Sequence, residues 1–350
     1  MSDIDSSPAA GADDARRLDV TAVGNALVDV LARTSDAEID RLGLIKGSMA
    51  LVDLGRSKAV YEAMGSTVEV SGGSAANTVA GVAALGARAG YIGKVADDQL
   101  GSVFLHDITA SGVEMGRTSP VARSDVPGDE RATGHCLILV TEDGERTMST
   151  HLGVAGTLGP EDLDEDLLAR SQIVYLEGYM WDQPPAKAAL RRAVEVAHAA
   201  DALVALTLSD SFCVTRHRRE FLDLLHGEID VLFANEEEIT LLFDASSFDD
   251  AVSAVEETGV LGALTRGAAG SVVVTASGPL AVAAEPVDRV VDTTGAGDLY
   301  AAGFLYGLTQ GYGPAPCARL GGLCAAEVIS HFGARPEVDL KKLVSTSDFL

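Results

Sequence analysis

The chain has 350 residues, of which 47% are apolar and 37 are glycine, enough for one large α/β domain with an appendage or for two ordinary domains. Its formal charge of -26 argues against a nucleic-acid phosphate backbone as partner, because that contact is built from clustered Lys and Arg; a small anion held by backbone N–H groups remains open. No apolar run approaches the roughly 20 residues of a membrane span, and the N-terminus has neither a basic start nor an apolar core, so no membrane partner is expected. Cys136, Cys213, Cys317 and Cys324 show no CxxC spacing and read as packed thiols of a reduced, cytoplasmic protein.

Residues 1–17 are polar, acidic and small, and read as a disordered leader before a folded unit of 18–350. Leu18 to Val23 is an apolar strand. In the Gly24-Asn25-Ala26-Leu27-Val28-Asp29 that follows, Asn25 and Asp29 are polar residues in otherwise buried sequence, satisfied either by a ligand or by a neighbouring loop. Met49 to Asp53 and Thr67 to Val70 are brief β-like runs around a helical insertion, too short and too polar on one face for a parallel core. Ser71-Gly72-Gly73-Ser74-Ala75-Ala76-Asn77-Thr78 is a glycine turn opening a helix of small apolar residues that stops at Gly86. Its glycines permit close approach of a ligand, although a tight packing turn has the same pattern. Ala89 to Gly93 reads as a strand and Asp97 to Ile108 as a helix.

From Thr118 to Leu152 the pattern is β alone, with extended runs flanking the hairpin signal Asp143-Gly144. Together with the early β runs this predicts a small antiparallel sheet, formed by about 45–71 and 117–152, acting as a lid. After Leu152, strands at Ile173 to Leu176, Ala202 to Leu208, Val231 to Ala234 and Ala263 to Thr265 alternate with helices, which predicts a mostly parallel sheet covered on both faces. Ligands in such sheets bind at the carboxyl ends of strands, where Ser209-Asp210-Ser211-Phe212, Asn235-Glu236-Glu237-Glu238 and Thr265-Arg266-Gly267-Ala268-Ala269-Gly270 fall. The acidic trio is equally the first turn of a helix; Asn235 and Glu238, three apart, can face one side and hold a hydrated Mg2+ beside phosphates. The seven histidines make no paired metal spacing and read as surface or lid residues.

The last segment, Val291 to Gly311, reads as strand, tight turn and buried helix. Around Gly295-Ala296-Gly297-Asp298 the glycines let backbone N–H groups point at an anion, the helix dipole reinforces them, and one carboxylate stands at the mouth. Read alone, Asp298 is a helix cap more readily than a base. No GxxxxGK[ST] phosphate loop is present, and the dinucleotide fingerprint fails because Tyr300 stands where its third glycine belongs.

Taken together, SGGSAANTVAGVAALG (Ser71 to Gly86) and DTTGAGDLYAAGFL (Asp292 to Leu305) resemble the two signatures of the ribokinase-like, PfkB-type carbohydrate and nucleoside kinases. The Asn-x-x-Glu at Asn235 and the Thr265 loop fit the same family, and the resemblance spans roughly Asp19 to Lys341. It implies a ribokinase-like three-layer fold, a central sheet with helices on both faces plus the β lid, using ATP and Mg2+. Asp298 would be the catalytic base, and the backbone of Gly295, Ala296 and Gly297 the anion hole. Asn25, Asp29, Gly72, Gly73 and Asn77 would bind acceptor hydroxyls. Thr265, Gly267 and Gly270 would line the ATP site, and Asn235 with Glu238 would support Mg2+ through water. Many members also use K+; Asp292, Thr294 and Gly333-Ala334 match that pattern loosely.

The Gly24 to Asp29 opening is similar to that of adenosine kinases, and Leu208 to Phe212 resembles the segment where they set an aromatic against the base. Leu27 and Phe212 would then flank a purine. The leading expectation is an ATP-dependent kinase of a purine nucleoside 5′-hydroxyl, adenosine first, working as a monomer or homodimer. A same-family kinase of ribose, fructose or a related furanose is the alternative. A binding regulator that has lost the chemistry would not need the complete set of Asp298, anion hole and Asn-x-x-Glu.

Overall fold

The structure, a computed structural model, describes residues 17–117, 120–122 and 131–347. The expected leader therefore lies outside the described residues except for Arg17, as do 118–119 and 123–130 of the second lid segment.

Among the described residues, fourteen strands run in chain order as β1 (Leu18–Val23), β2 (Leu27–Arg33), β3 (Met49–Leu51), β4 (Val68–Gly72), β5 (Ala89–Ile92), β6 (Val113–Met115) and β7 (Thr133–Val140). There follow β8 (Arg146–Gly153), β9 (Ser171–Glu177), β10 (Leu203–Thr207), β11 (Val231–Asn235), β12 (Leu261–Thr265), β13 (Ser271–Thr275) and β14 (Gly278–Val282). Nine of them form one sheet in the order β14-β13-β12-β11-β10-β9-β1-β5-β6, parallel from β6 to β12, with β13 and β14 added antiparallel at one edge. Side chains alternate between two cores, as the two-residue period of a strand requires. Along β9, Val174 and Leu176 join Trp181 and Phe221 on one face, while Ile173 and Tyr175 join Phe104 and Phe304 on the other. The expected three-layer α/β architecture with a separate smaller sheet is present.

The smaller sheet, ordered β3-β8-β7-β2-β4, differs from expectation in two ways. It includes β2, outside the expected 45–71 and 117–152, and it is mixed, since β2 pairs parallel with β7 and β3 parallel with β8. Leu27 to Ala32 are all buried, so β2 has the composition of a core strand. Its two faces are nonetheless distinct: Leu27 and Leu31 pack with Cys136 and Ile138, while Val30 and Ala32 pack with Ile39, Val60 and Leu137. The hairpin at Asp143-Gly144 joins β7 to β8 as read. Val290-Val291, expected as a strand, belongs to neither sheet, and the Val291 N–H donates to the Ile329 carbonyl instead.

Two helices position the chemistry. The Ser74–Ala84 and Ala296–Thr309 helices cross so closely at Gly81 that a Cβ there would lie 2.7 Å from Ala302 Cβ and 2.8 Å from Leu299 Cδ1. Small residues at that crossing allow the helices' first turns, one turn upstream on each, to meet.

Candidate active site

Strand order reverses around β1, whose neighbours β9 and β5 lie to either side, and the crevice at the carboxyl ends beside such a reversal is where open α/β sheets bind ligands. A cavity of about 290 Å3 opens there, between the strand ends and the small sheet.

At its base stands Asp298, in the first turn of the Ala296–Thr309 helix. Ser74 Oγ donates to its Oδ1 at 2.7 Å and Asn77 Nδ2 to its Oδ2 at 3.0 Å. Burial pushes the Asp298 carboxyl above its ordinary range, opposed by these two donors and by the charges of Arg146 and Arg335. Asp298 does not cap its helix: the N-cap is Gly295, in the left-handed conformation at φ +80, and it brings no side-chain bond to the first-turn N–H groups. A Cβ on Gly295 would stand 2.8 Å from Ala334 Cβ, so glycine is required for space as well as for its backbone angle.

The end of the cavity beside the small sheet is built by the Ser71–Ala76 turn and β2. Asp29 projects from β2 onto Gly72, where a Cβ would fall 2.0 Å from Asp29 Oδ2. Burial raises the Asp29 carboxyl to about 7, with Arg335 pulling it down and Asp298 pushing it up. Asn25 Nδ2 donates to Glu177 Oε1 at 2.9 Å, and the Ala75 N–H donates to Glu177 Oε2 at 3.0 Å. Glu177, the last residue of β9, is itself raised to about 7 by burial.

Of the residues singled out from the sequence, Asn25, Leu27, Asp29, Gly73 and Asn77 line this cavity together with Asn235, Glu238 and Thr265. Thr294, Gly295, Ala296, Gly297 and Asp298 line it as well. Asn235 and Glu238 form a reciprocal capping box: Asn235 Oδ1 accepts from the Glu238 N–H at 2.8 Å, and Glu238 Oε2 accepts from the Asn235 N–H at 3.0 Å. Burial lifts Glu238 to about 7. Glu236, by contrast, pairs with Arg266 away from the cavity, so the helix-start reading holds for that member of the trio.

Five residues do not reach the cavity wall. Gly72 sits behind Asp29, and Asp292 lies beneath Thr294, fully buried, its Oδ1 accepting from the Thr294 N–H and hydroxyl and its Oδ2 from the Gly333 N–H. Gly267 and Gly270 shape the turn from β12 to β13; a Cβ on Gly270 would meet the Val282 carbonyl at 2.1 Å, so sheet packing accounts for that glycine. Phe212 is 41% exposed on the Ser211–Leu224 helix and does not line this cavity. The aromatics at the wall are Tyr179, Phe233 and Tyr300; the Tyr179 N–H donates to Ser209 Oγ and its hydroxyl donates to the Ser209 carbonyl.

Sequence reasoning passed over Glu177, Tyr179, Ser74, Arg146 and Arg335. Glu177 and Tyr179 follow a strand whose end was marked, so their position at a carboxyl edge was the available signal. Arg146 begins β8 and donates to the Thr293 carbonyl at 3.2 Å, reaching from the small sheet to the glycine turn; nothing local to its sequence marks that contact.

A model of the pfkB family carbohydrate kinases matches residues 44–340 of this chain. The chain belongs to the PfkB family. Its members are ATP-dependent phosphotransferases acting on sugar hydroxyls, and they use ATP and Mg2+. The adenosine kinase of Sinorhizobium meliloti is 48% identical and superposes with a TM-score of 0.90 over 94% of this chain and 99% of its own. A probable sugar kinase from Rhizobium etli CFN 42 is 42% identical with a TM-score of 0.91 over 96% and 100% of the two chains. By sequence, the 5-dehydro-2-deoxygluconokinase of Geobacillus kaustophilus is 28% identical over 74% of this chain and 78% of its own length. The PfkB match begins after the Asn25 to Asp29 segment. Among the described residues, no helix is long and apolar enough to cross a membrane.

Proposed function

We propose that this PfkB kinase transfers the γ-phosphate of ATP to the 5′-hydroxyl of a purine nucleoside, with adenosine the first candidate. The observation that carries the acceptor class is the lid face of the cavity: Leu27, Met49, Leu51, Cys136, Ile138, Met148 and Leu152 line it. A bare furanose presents hydroxyls all round and gains little from seven apolar and sulfur-bearing neighbours; a ribose carrying a flat base uses the polar floor for one part and the apolar face for the other. The 48% identity to an adenosine kinase supports the same reading.

Within this reading Asp298 takes the proton of the attacking hydroxyl, and Ser74 and Asn77 hold its carboxylate in place and in charge. The Ala296 N–H is already bonded to the Thr293 carbonyl at 3.2 Å, which leaves Gly295 and Gly297 on either side to meet the anion. Arg146 adds positive charge from the small sheet. Asn25 and Asp29 orient the sugar hydroxyls, and closure of the small sheet excludes water.

The cavity fits the cofactors. Its helix N-terminus lacks a side-chain cap and is open to phosphate, with Thr265 further along the strand ends. Glu238 and Asn235 stand at the wall beside it, and among the described residues no cluster of three or more ligating side chains encloses a metal, which suits a Mg2+ held mainly by phosphate oxygens and water. ATP supplies the phosphoryl group, and Mg2+ neutralises its charge. Asp292 is a buried carboxylate with no cationic side chain at ion-pairing distance among the described residues; Asp292 and Thr294, beside the Gly333-Ala334 step, would place a K+ behind the glycine turn.

ADP release measured across adenosine, other nucleosides, ribose and fructose tests the acceptor. Turnover with adenosine at low KM is expected; turnover with sugars and none with any nucleoside would replace this reading by the sugar-kinase one.

A further inference from the structure

Arg335 lies in the loop after the Pro314–Val328 helix, two residues beyond Gly333. Its Nε and Nη2 donate to the Ser71 carbonyl at 3.2 and 3.1 Å, and Nη2 also reaches Ser71 Oγ at 3.2 Å. Nη1 donates to the Ala76 carbonyl at 3.0 Å. Ser71 is the penultimate residue of β4, in the small sheet, and Ala76 is in the first turn of the Ser74–Ala84 helix. One planar guanidinium therefore spans both ends of the turn against which Asp29 rests and from which Ser74 and Asn77 reach Asp298.

The same loop touches the other half of the site. Ala334 packs on Gly295 at the N-cap, and the Gly333 N–H donates to Asp292. All four Arg335 contacts are to uncharged oxygens, and among the described residues no carboxylate is at ion-pairing distance. Its charge is instead felt by Asp29 and Asp298, which it pulls down, with Tyr91 and Asp107 also facing it. Burial lowers the guanidinium itself to about 10, so it stays charged at neutral pH. Arg146, from the small sheet, is the other cation acting on both carboxylates, and Glu177 senses Asp298 from β9.

We infer that Arg335 is a positioning residue: it clamps the Ser71–Ala76 turn to the loop behind the anion hole and sets a positive charge beside Asp29 and Asp298. This rests on the reading of Asp298 as base. The fork matters because a lysine offers one nitrogen and cannot hold the Ser71 and Ala76 carbonyls together, while it keeps the charge. Clamp and charge are therefore separable.

The test compares Arg335→Gln and Arg335→Lys with the unaltered enzyme, using ATP with adenosine, and ribose in parallel. In Arg335→Gln the acid limb of the kcat/KM profile should move to higher pH, and the KM for the acceptor should rise about tenfold while that for ATP changes less than twofold. Arg335→Lys should restore the acid limb and leave the acceptor KM raised. Amide hydrogen exchange, which needs no substrate, should accelerate about tenfold at residues 71–77 in both variants and stay unchanged in β9 to β11. An unmoved acid limb in Arg335→Gln, or unchanged exchange at 71–77, overturns the inference; should Arg335→Gln fail to fold, an unchanged acceptor KM and exchange in Arg335→Lys do so. Asp298→Asn measured beside them separates the two readings: retained turnover there defeats the base assignment, whereas loss of turnover there with an unmoved limb in Arg335→Gln defeats only the role of Arg335.

Discussion

The Asn77 amide donates to the Asp298 carboxylate at 3.0 Å across 221 residues of chain. The contact exists because two helices with small residues at their crossing approach closely enough for their first turns to touch. A cap would bond its own helix; Asp298 bonds another helix and faces a cavity, as a base must. Replacing Asp298 with Asn should lower kcat by about 10³-fold or more, as loss of a general base does, with binding of ATP and acceptor nearly intact. Rapid-quench turnover and calorimetric binding on one preparation check both halves, and turnover within tenfold of the original would remove Asp298 from this role.

Arg146 is the cation that the small sheet carries to the glycine turn. Arg146→Gln should reduce kcat about 10²-fold, the scale of losing one donor to developing negative charge. Because Arg146 lowers Asp29, Glu238 and Asp298, the acid limb should also rise. A kcat within threefold of the original would mean that Arg146 plays no part in the chemistry.

Gly72 offers a steric test of the acceptor site. A methyl group there occupies the position of the Asp29 carboxylate, 2.0 Å from Oδ2, so Gly72→Ala should displace Asp29 at an overpacking cost of about 1–3 kcal/mol. The KM for the acceptor should rise while that for ATP holds. An equal rise in both would place Asp29 outside the acceptor subsite.

Burial raises Asp29, Glu177 and Glu238 to about 7 from ordinary values of 3.8, 4.5 and 4.5. Between those ordinary values and about pH 7, the folded chain holds more protons than the unfolded one, so stability falls as pH rises through that window and levels above it. Asp143, held down by Lys46, acts in the opposite sense, with its contribution lost only as pH falls below the ordinary carboxylate range. The thermal midpoint of the ligand-free protein should therefore decline from pH 5 to 7. A midpoint that rises over this interval would show that these carboxyls are better solvated than their burial implies.

Asp292 predicts a monovalent-ion effect. Activity should increase when K+ replaces choline or Na+ at constant ionic strength, and Asp292→Asn should abolish the increase. Equal rates in all three salts would leave the Asp292–Thr294–Gly333 cluster a purely structural brace.

Sequence pattern alone determined the βα alternation, the two glycine turns, the hairpin at Asp143-Gly144 and the pairing of Asn235 with Glu238, because each depends on residues within about ten positions of one another; Asp298 became a candidate base only when motifs far apart in the chain were read together. Helix starts, β-runs and turn glycines are local physics, and local physics is written locally. Tertiary structure decided what those features face. β2 reads as a core strand yet belongs to the small sheet, since a strand buried on both faces has the same composition wherever it packs. Phe212 reads as a wall residue yet is exposed on its helix and does not line the cavity. Glu177 had only its place at a strand end to mark it, and Arg146 and Arg335 carry no local signal; the hydrogen-bond partners of the two arginines lie 147 to 264 residues away, and only the packing of the two sheets and the C-terminal loop brings these charges to one site.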